Sequence, residues 1–292
     1  MIDKAGAVSL LGRREMILRT AGMVTLFGFG LGRSRAIAAT ADSIVLTPEE
    51  TEGPYWVDEM LNRSDITVDP SDNSIQEGFP LILTVAVSQL SNGVVTPLSG
   101  AQVDIWHCNA SGLYSDEATY NPGGGSGSVT TTGQKFLRGY QVTDAHGTVH
   151  FLSIYPGWYS GRTPHIHCRV RLYSGSTTTT NFTTQFFFDE SITDTVFATA
   201  PYNTRSNRDT INSTDSIYTS TDCLTGAEDG DETSLKLASN GKRAVASYNI
   251  ILDLSSTTSS CVGGTSGGGG TPPSGGTPPS GGPPPGGAPP SF

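Results

Sequence analysis

Short apolar runs alternate with clusters of Gly, Pro, Asn and Asp between residues 43 and 255. The runs are rich in β-branched and aromatic side chains and almost never show the repeat of an amphipathic helix, which indicates strands. The clearest strands are predicted at residues 81–87, 101–107, 148–154, 165–173, 183–188 and 244–254. A sandwich or a barrel fits many short strands separated by turn residues. Of the two, we predict an all-β antiparallel β-sandwich with long loops.

Two long segments between the predicted strands show no periodic pattern. Residues 115–134 include consecutive glycines at 123–125, and residues 189–238 are mostly polar. Loops of this length usually shape a functional site or are mobile. We therefore predict both segments as loops without regular structure of their own.

The amino-terminal residues 1–38 have the composition of an export signal. Arg13 and Arg14 precede a short apolar run, 21–31, that glycines interrupt and that is too short to span a membrane. Small residues at 36–38 then supply a cleavage pattern. The paired arginines resemble a twin-arginine signal, so we expect export to the periplasm or the extracellular space. An ordinary secretory signal or a membrane anchor is the alternative.

The carboxy-terminal residues 263–292 consist almost wholly of Gly, Pro, Ser and Thr. Such a segment has too little apolar surface to offset the entropy of ordering, so we expect a disordered tail. A cell wall or another partner could be its contact. The folded domain is therefore predicted at residues 39–262.

The charge balance excludes one class of partner. Residues 1–38 hold six of the 17 Lys and Arg and two of the 27 Asp and Glu, which leaves 11 basic and 25 acidic residues, a net charge of −14, in the remainder. A surface this acidic repels phosphate backbones, which argues against nucleic-acid binding.

The chain has four cysteines, an even number that permits disulfides in an exported protein. Three pairings can be drawn, and we favour Cys108 with Cys168 and Cys223 with Cys261. The spacing contains no CxxC element, which argues against a zinc–thiolate site.

The most informative stretch is the predicted strand that begins at His165. Side chains two positions apart in a strand project from the same face, so His165 and His167 can present two imidazoles to one point while Ile166 faces the opposite layer. This is how a β protein offers a metal two neutral nitrogens. Alternatively, the two histidines decorate a solvated strand face.

Tyrosines nearby extend this candidate metal site. A turn around Gly157 and Gly161 brings Tyr159 back towards the histidines, and Tyr114 follows another predicted strand. Two phenolates and two imidazoles form a hard, anionic ligand set suited to Fe(III), and a bound hydroxide would make the site neutral. Most tyrosines are packing residues, however, so composition alone does not establish phenolate ligands.

Four blocks, in this order, resemble the intradiol ring-cleavage dioxygenases, a family that includes the protocatechuate and catechol enzymes. The resemblance runs from residue 47 to about residue 189. The blocks are Thr-Glu-Gly-Pro-Tyr-Trp at 51–56, Val-Asp-Ile-Trp-His-Cys-Asn-Ala at 103–110 with Gly-Leu-Tyr-Ser at 112–115, Phe-Leu-Arg-Gly-Tyr-Gln-Val-Thr-Asp at 136–144, and the Pro-Gly-x-Tyr to His-x-His stretch at 155–167.

The resemblance implies a ligand set and an activity. By analogy with the family, Tyr114, Tyr159, His165 and His167 bind one Fe(III) per chain, and Tyr159 is the ligand that leaves when substrate arrives. The implied substrates are a small aromatic diol of the catechol type and O2. Both oxygen atoms enter the ring between the two hydroxyl-bearing carbons and give a muconate-type diacid. No reductant or organic cofactor is consumed.

The same resemblance assigns roles to residues around the metal. Arg162 matches the arginine that stabilises charge developing on the substrate, and Gln185 matches a glutamine near it. Tyr55 resembles a residue lining the pocket mouth, and Trp158 and Leu113 could form its apolar walls. The alternatives are a surface salt bridge for Arg162 and ordinary core packing for the aromatic residues.

The chain also departs from the classical family pattern. It lacks the helical amino-terminal segment through which catechol and hydroxyquinol members dimerise, which leaves homo-oligomer formation open. With its export signal and tail it resembles an exported branch of the family, for which a plant or lignin-derived phenolic substrate is a hypothesis. Two other interpretations are a secreted β-sandwich binding or wall-associated module without turnover, and a copper oxidase that uses the same His-x-His.

Overall fold

The computed structural model describes residues 44–123, 128–205, 208–222 and 225–255. The expected export signal, the Gly/Pro-rich tail, Cys223 and Cys261 lie outside these ranges. Within them, no helix has both the length and the apolar character needed to cross a membrane.

Strands dominate the described residues. In chain order they are β1 Pro80–Ser91, β2 Val94–Pro97, β3 Gln102–Trp106, β4 Arg138–Val142, β5 Thr148–Ile154, β6 His165–Ser174, β7 Thr177–Phe187, β8 Lys236–Ser239 and β9 Ala244–Leu252. Two α-helices, α1 Glu190–Phe197 and α2 Asp229–Glu232, and two short 3-10 helices, Tyr202–Thr204 and Asn212–Thr214, lie between β7 and β8.

The described strands form two sheets that confirm the β-sandwich. One has the order β4-β3-β6-β7 with antiparallel neighbours throughout. In the other, β1 pairs with β2 and β5 in antiparallel fashion and with β9 in parallel, and β8 extends the sheet beyond β9. The parallel pair makes this second sheet mixed.

The apolar core lies between the two sheets and follows from strand alternation. In β1, Leu81, Leu83, Val85 and Val87 are fully buried, while the residues between Leu81 and Val87 are mostly only partly buried. Side chains from β6, including Ile166, belong to the same cluster. Burying one such side chain contributes about 1.5–3 kcal/mol, so this period-2 pattern determines which face of each strand turns inward.

The predicted strands are present, with β5 having the same bounds as predicted, but three strands are missed. The short strands β2 and β8 are largely exposed and carry little apolar signal. The second residue of β4 is Gly139, where an added Cβ would lie 2.8 Å from Ile66 Cγ2. A glycine required by close packing weakens the strand pattern that sequence analysis depends on.

The prediction that residues 189–238 lack regular structure is wrong. Asp189 caps α1 by accepting hydrogen bonds from the backbone N–H groups of Ser191 and Ile192. The helix buries only Thr193 and Val196, a face too narrow to stand out in a polar sequence. The segment between β7 and β8, called the excursion below, returns to the sandwich and supplies side chains to the site.

The disulfide predicted between Cys108 and Cys168 is also wrong, because both cysteines are buried and free. Cys168 points into the core between the sheets, whereas Cys108 belongs to a separate cluster with Trp106. Trp106 stacks on His167, the neighbour of Cys168 that faces the other way. The two thiols therefore lie on opposite faces of the sheet, and a disulfide needs converging Cβ atoms.

Candidate metal centre

Strand β6 presents two imidazoles to one point, as predicted. His165 and His167 are buried, and their Nε2 atoms lie 3.1 Å apart, while Ile166 turns into the core. The Nδ1 atom of His165 lies 2.7 Å from the carbonyl oxygen of Thr163, so this nitrogen carries the proton and Nε2 exposes a lone pair. Burial, reinforced at His167 by the neighbouring imidazole and at both by the Arg162 cation, lowers both histidine pKa values well below the usual range. Both rings are therefore neutral donors.

Two phenol oxygens meet the same point. The Oη atoms of Tyr114 and Tyr159 each lie 3.4 Å from His165 Nε2. Ligand atoms bound to one ion at about 2 Å stand about 3 Å apart in neighbouring positions, so this spacing fits a shared ion. Burial raises the pKa of both phenols above the range of an exposed tyrosine. Ionising them here requires a strong local positive charge.

The donor set selects the kind of ion. In the described part of the chain, no three His, Cys, Asp or Glu side chains are grouped to hold a metal, so a metal at this point needs the phenol oxygens. The Nδ1 atom of His167 is buried without a hydrogen-bond partner, and stacking on Trp106, with ring centroids 4.8 Å apart, orients the ring. Two neighbouring imidazole nitrogens beside two phenols fit a hard, highly charged cation such as Fe(III).

The loop that carries Tyr114 is held by close backbone contacts. The Oδ1 atom of Asn109 accepts hydrogen bonds from the backbone N–H groups of Ser111 and Leu113. Gly112 has a φ of +80°, and an added Cβ would lie 2.1 Å from the carbonyl oxygen of Trp158. A side chain at Gly112 would therefore separate the loops that bring Tyr114 and Tyr159 together.

The turn that carries Tyr159 is equally tight. The backbone N–H of Arg162 donates to the carbonyl oxygen of Tyr159 at 3.1 Å, which closes a reverse turn. The carboxylate of Asp209 accepts from Ser160 Oγ and the backbone N–H of Gly161. The turn places the two side chains next to each other, with Arg162 Nη1 3.4 Å from Tyr159 Oη.

Arg162 is a cation beside the histidines, with 14% of its side chain exposed. Its Nη1 atom lies 3.4 Å from His165 Nε2, and Nη2 donates to the side-chain oxygen of Gln185 at 2.6 Å. The amide nitrogen of Gln185 in turn donates to the carbonyl oxygen of Thr51 at 2.9 Å. The structure therefore brings the two sequence-predicted residues Arg162 and Gln185 together at the candidate centre.

An aromatic wall covers one side of the centre. Tyr55 stacks on Tyr114, with ring centroids 4.5 Å apart, and meets the rings of Tyr120 and Tyr159 edge-on. Leu113 packs against both the sandwich core and this cluster. Trp158 packs instead under the guanidinium of another residue, Arg205, at 4.2 Å.

A family model described as dioxygenase matches residues 51–223. Among solved structures, an intradiol ring-cleavage dioxygenase from Tetranychus urticae is 29% identical with a TM-score of 0.60, and the match covers 74% of this chain and 98% of that one. The chain belongs to the intradiol ring-cleavage dioxygenases. A second dioxygenase crystal structure is 28% identical with a TM-score of 0.58, covering 73% of this chain and 97% of the other.

A curated relative of this dioxygenase is a catechol 1,2-dioxygenase from Candida albicans. It is 28% identical over 192 residues, which are 58% of this chain. The match spans 55% of the relative, so the chain corresponds to about half of that protein's length.

Sequence reasoning missed three side chains that support the dioxygenase site. Arg138 donates to the carbonyl oxygens of Tyr55 and Ser115 and thereby joins two loops of the site. The third family block contains Arg138, so a signal was present. Tyr120 completes the aromatic wall, and Asp215 pairs with Arg162, but both come from polar segments without a recognisable pattern.

Proposed function

We propose that this chain is a non-haem Fe(III) intradiol dioxygenase that inserts both atoms of O2 into a catechol-type aromatic and releases a muconate-type diacid. One Fe(III) per chain is held by Tyr114, Tyr159, His165 and His167. The proposal rests on the convergence of four donor atoms. His167 Nε2 and the phenol oxygens of Tyr114 and Tyr159 all lie within 3.4 Å of His165 Nε2.

The chemistry divides between the metal and the protein. When bound, Fe(III) would be chelated by the two catechol oxygens and would withdraw electron density from the ring, which would activate a ring carbon towards O2. Of the two phenols that would hold the ion, Tyr159 is partly exposed in its tight turn and Tyr114 is fully buried, so Tyr159 would be the one to give way to substrate. Burial raises the phenol pKa of Tyr159, so its Oη, once free of the ion, would be basic enough to accept a catechol proton.

Arg162 stabilises the negative charge that develops on the chelated ring. Its guanidinium lies beside Tyr159 and His165 with little access to solvent, where a fixed cation acts strongly because water does not screen it. Gln185 holds one end of the guanidinium. The rings of Tyr55 and Tyr120 exclude water on the substrate side and present an apolar wall to an aromatic guest.

The presence of all four ligands favours an enzyme over a binding or wall-associated module, which need not conserve a complete metal site. The phenol pair likewise favours Fe(III) over the copper of a copper oxidase, whose sites recruit thiolate, thioether or further imidazole ligands. The related enzymes support a catechol-type substrate, and a plant or lignin-derived phenolic remains our hypothesis for its source.

Loading and turnover test the proposal directly. Purified full-length protein should contain one iron per chain and show the red-brown charge-transfer band of tyrosinate bound to Fe(III). With a panel of catechols it should consume one O2 per ring, and 18O2 should place two labelled atoms in a muconate-type product. Controls are protein stripped with an iron chelator and the same sample reloaded. Colourless, iron-free active protein, or cleavage outside the diol, would overturn the proposal.

We further propose that the chain is exported through its twin-arginine-like segment. Replacing Arg13 and Arg14 with lysine should retain the protein in the cytoplasm, measured by fractionation against the unchanged chain. An unaltered distribution would contradict this route. Homo-oligomer formation and a contact of the tail with a cell wall or another partner stay predictions, which sizing of full-length and tail-deleted protein would examine.

A further inference from the structure

Asp215 lies immediately after the second 3-10 helix, yet its side chain reaches the turn that carries Arg162. Its carboxylate is fully buried. The Oδ2 atom accepts from Arg162 Nε at 2.9 Å and from the backbone N–H of Thr163 at 2.8 Å. The Oδ1 atom accepts from the backbone N–H groups of Ile217 and Tyr218 at 2.8 and 3.2 Å. Two oxygens thus receive four donors, about the full capacity of an ionised carboxylate.

These contacts determine the direction of the guanidinium. Asp215 holds Nε of Arg162, and Gln185 holds Nη2 at 2.6 Å. A guanidinium is planar and rigid, so two fixed nitrogens determine where the third one points. The third nitrogen, Nη1, faces Tyr159 Oη and His165 Nε2, each at 3.4 Å. Asp215 therefore fixes the position of the Arg162 guanidinium beside the candidate metal centre.

An amide could not replace this carboxylate. Both oxygens of Asp215 face N–H donors, and an asparagine would have to turn its own NH2 group towards one of the two donor pairs. Either Arg162 and Thr163, or Ile217 and Tyr218, would then meet a donor instead of an acceptor. A buried donor without an acceptor is costly, so the arrangement specifically requires an acceptor-only side chain.

The segment that carries Asp215 is anchored on the same turn by a second residue. The Oδ1 atom of Asn212 accepts from Thr163 Oγ1 at 2.8 Å, and its amide nitrogen donates to the carbonyl oxygen of Phe188 at 2.9 Å. Asn212 therefore ties the excursion both to the end of β7 and to the turn before β6. Asp215 is consequently held in place rather than drawn in by Arg162 alone.

We propose that Asp215 is a positioning residue that fixes Arg162 in the orientation needed to stabilise charge on the substrate. This inference rests on the proposed dioxygenase function. Asp215 touches no ligand atom of the candidate centre in the described contacts; it acts through the guanidinium.

Asp215→Asn tests the role in the iron-loaded enzyme. Because Arg162 stabilises charge that develops during the reaction, kcat should fall by about 10- to 100-fold while KM changes less. Iron content and the charge-transfer band should persist. Asp194→Asn removes the same charge from the same excursion, where Asp194 pairs with Arg208, and serves as the matched control. An unchanged kcat in Asp215→Asn overturns the proposal.

A double-mutant cycle separates positioning from general support. If Asp215 acts through Arg162, then Asp215→Asn should cause little further loss of kcat in an Arg162→Ala background. An equal loss in both backgrounds would show a merely structural role. Denaturant unfolding of the same four proteins measures the coupling free energy between Asp215 and Arg162 without any need for turnover. If the wild-type enzyme cleaves no catechol, the proposed function is refuted. The coupling free energy would still show whether Asp215 holds Arg162.

Arg162→Lys provides a second test of the proposal if Asp215→Asn does not fold. Lysine retains the cation but lacks the planar fork, so pairing with Asp215 draws its single ammonium away from the metal centre. We expect Arg162→Lys to lose nearly as much kcat as Arg162→Ala. Wild-type kcat in Arg162→Lys would show that the fork held by Asp215 is not needed.

Discussion

Two buried regions of this dioxygenase differ in how their groups are stabilised. The core between the sheets consists of apolar side chains such as Leu83 and Ile166, whose burial is favourable by itself. The candidate metal centre buries the Nε2 atoms of His165 and His167, 3.1 Å apart, together with phenols whose pKa values are raised. The first region stabilises the sandwich whatever binds, whereas the second is buried at a cost that the proposed cation would offset. Substitutions in the two regions should therefore fail in different ways.

Removing a ligand should have the largest effect. In Tyr114→Phe the phenol oxygen is lost while the ring packing remains, so iron, colour and ring cleavage should disappear together. His165→Ala should give the same result. Iron content, the visible spectrum and O2 uptake measure this, with circular dichroism to show that the sandwich remains folded. Normal turnover in either variant would refute the ligand assignment.

Truncating the core should reverse that pattern. Leu83→Ala removes buried methyl groups and leaves a cavity, so the free energy of unfolding should fall by about 2–5 kcal/mol. The folded fraction should keep one iron per chain and its turnover. Leu83→Met preserves volume and is the matched control, with an expected cost below about 1.5 kcal/mol. Loss of iron from folded Leu83→Ala would contradict the prediction that the two regions fail separately.

Arg162→Ala should affect the rate while leaving both regions assembled. Losing a preorganised group that stabilises developing charge lowers kcat by about 10²–10³-fold, or about 3–4 kcal/mol of barrier. Iron content should not change, since Arg162 contributes no ligand atom. Steady-state kinetics and metal analysis on one preparation measure both quantities. Retention of the full rate would limit Arg162 to a structural ion pair with Asp215.

Acidification should weaken the fold through His107, which is fully buried. Burial lowers its pKa from the ordinary 6.5 to about 4, and both ring nitrogens are within hydrogen-bonding distance of Cys108 O and Ser153 Oγ. The unfolded chain therefore binds a proton before the folded chain does. Stability from His107 is fully present above pH 6.5 and is lost as the pH falls towards 4, by about 3 kcal/mol in all.

Comparing His107→Gln with the unchanged protein isolates this contribution from that of the other buried histidines. Chemical unfolding between pH 4 and 7 should show a steeper loss of stability in the unchanged protein. Parallel pH profiles would mean that His107 does not titrate on unfolding in this range.

The sequence was most informative where a function depends on neighbours along the chain. The placement of His165 and His167 on one face needed only the two-residue period of β6, and β5 needed only its apolar alternation. The Tyr159 turn was readable from Gly157 and Gly161. By contrast, β4 was hidden by a glycine that packing requires, and the Cys108–Cys168 pairing failed because spacing along the chain does not reveal sheet faces.

The amino-acid order alone therefore determined the sandwich class and the shared face of His165 and His167, because strand period acts over a few residues. The resemblance to the family predicted Tyr114 and Tyr159 as their partners. Only the tertiary structure decided that Tyr120 completes the aromatic wall and that Asp215 holds Arg162, and it places Tyr114 Oη 3.4 Å from His165 Nε2. Those contacts join segments tens of residues apart, and they form only when the loops and the excursion after β7 pack against the sheet. A local sequence pattern does not encode such long-range contacts, because they depend on how the whole chain folds.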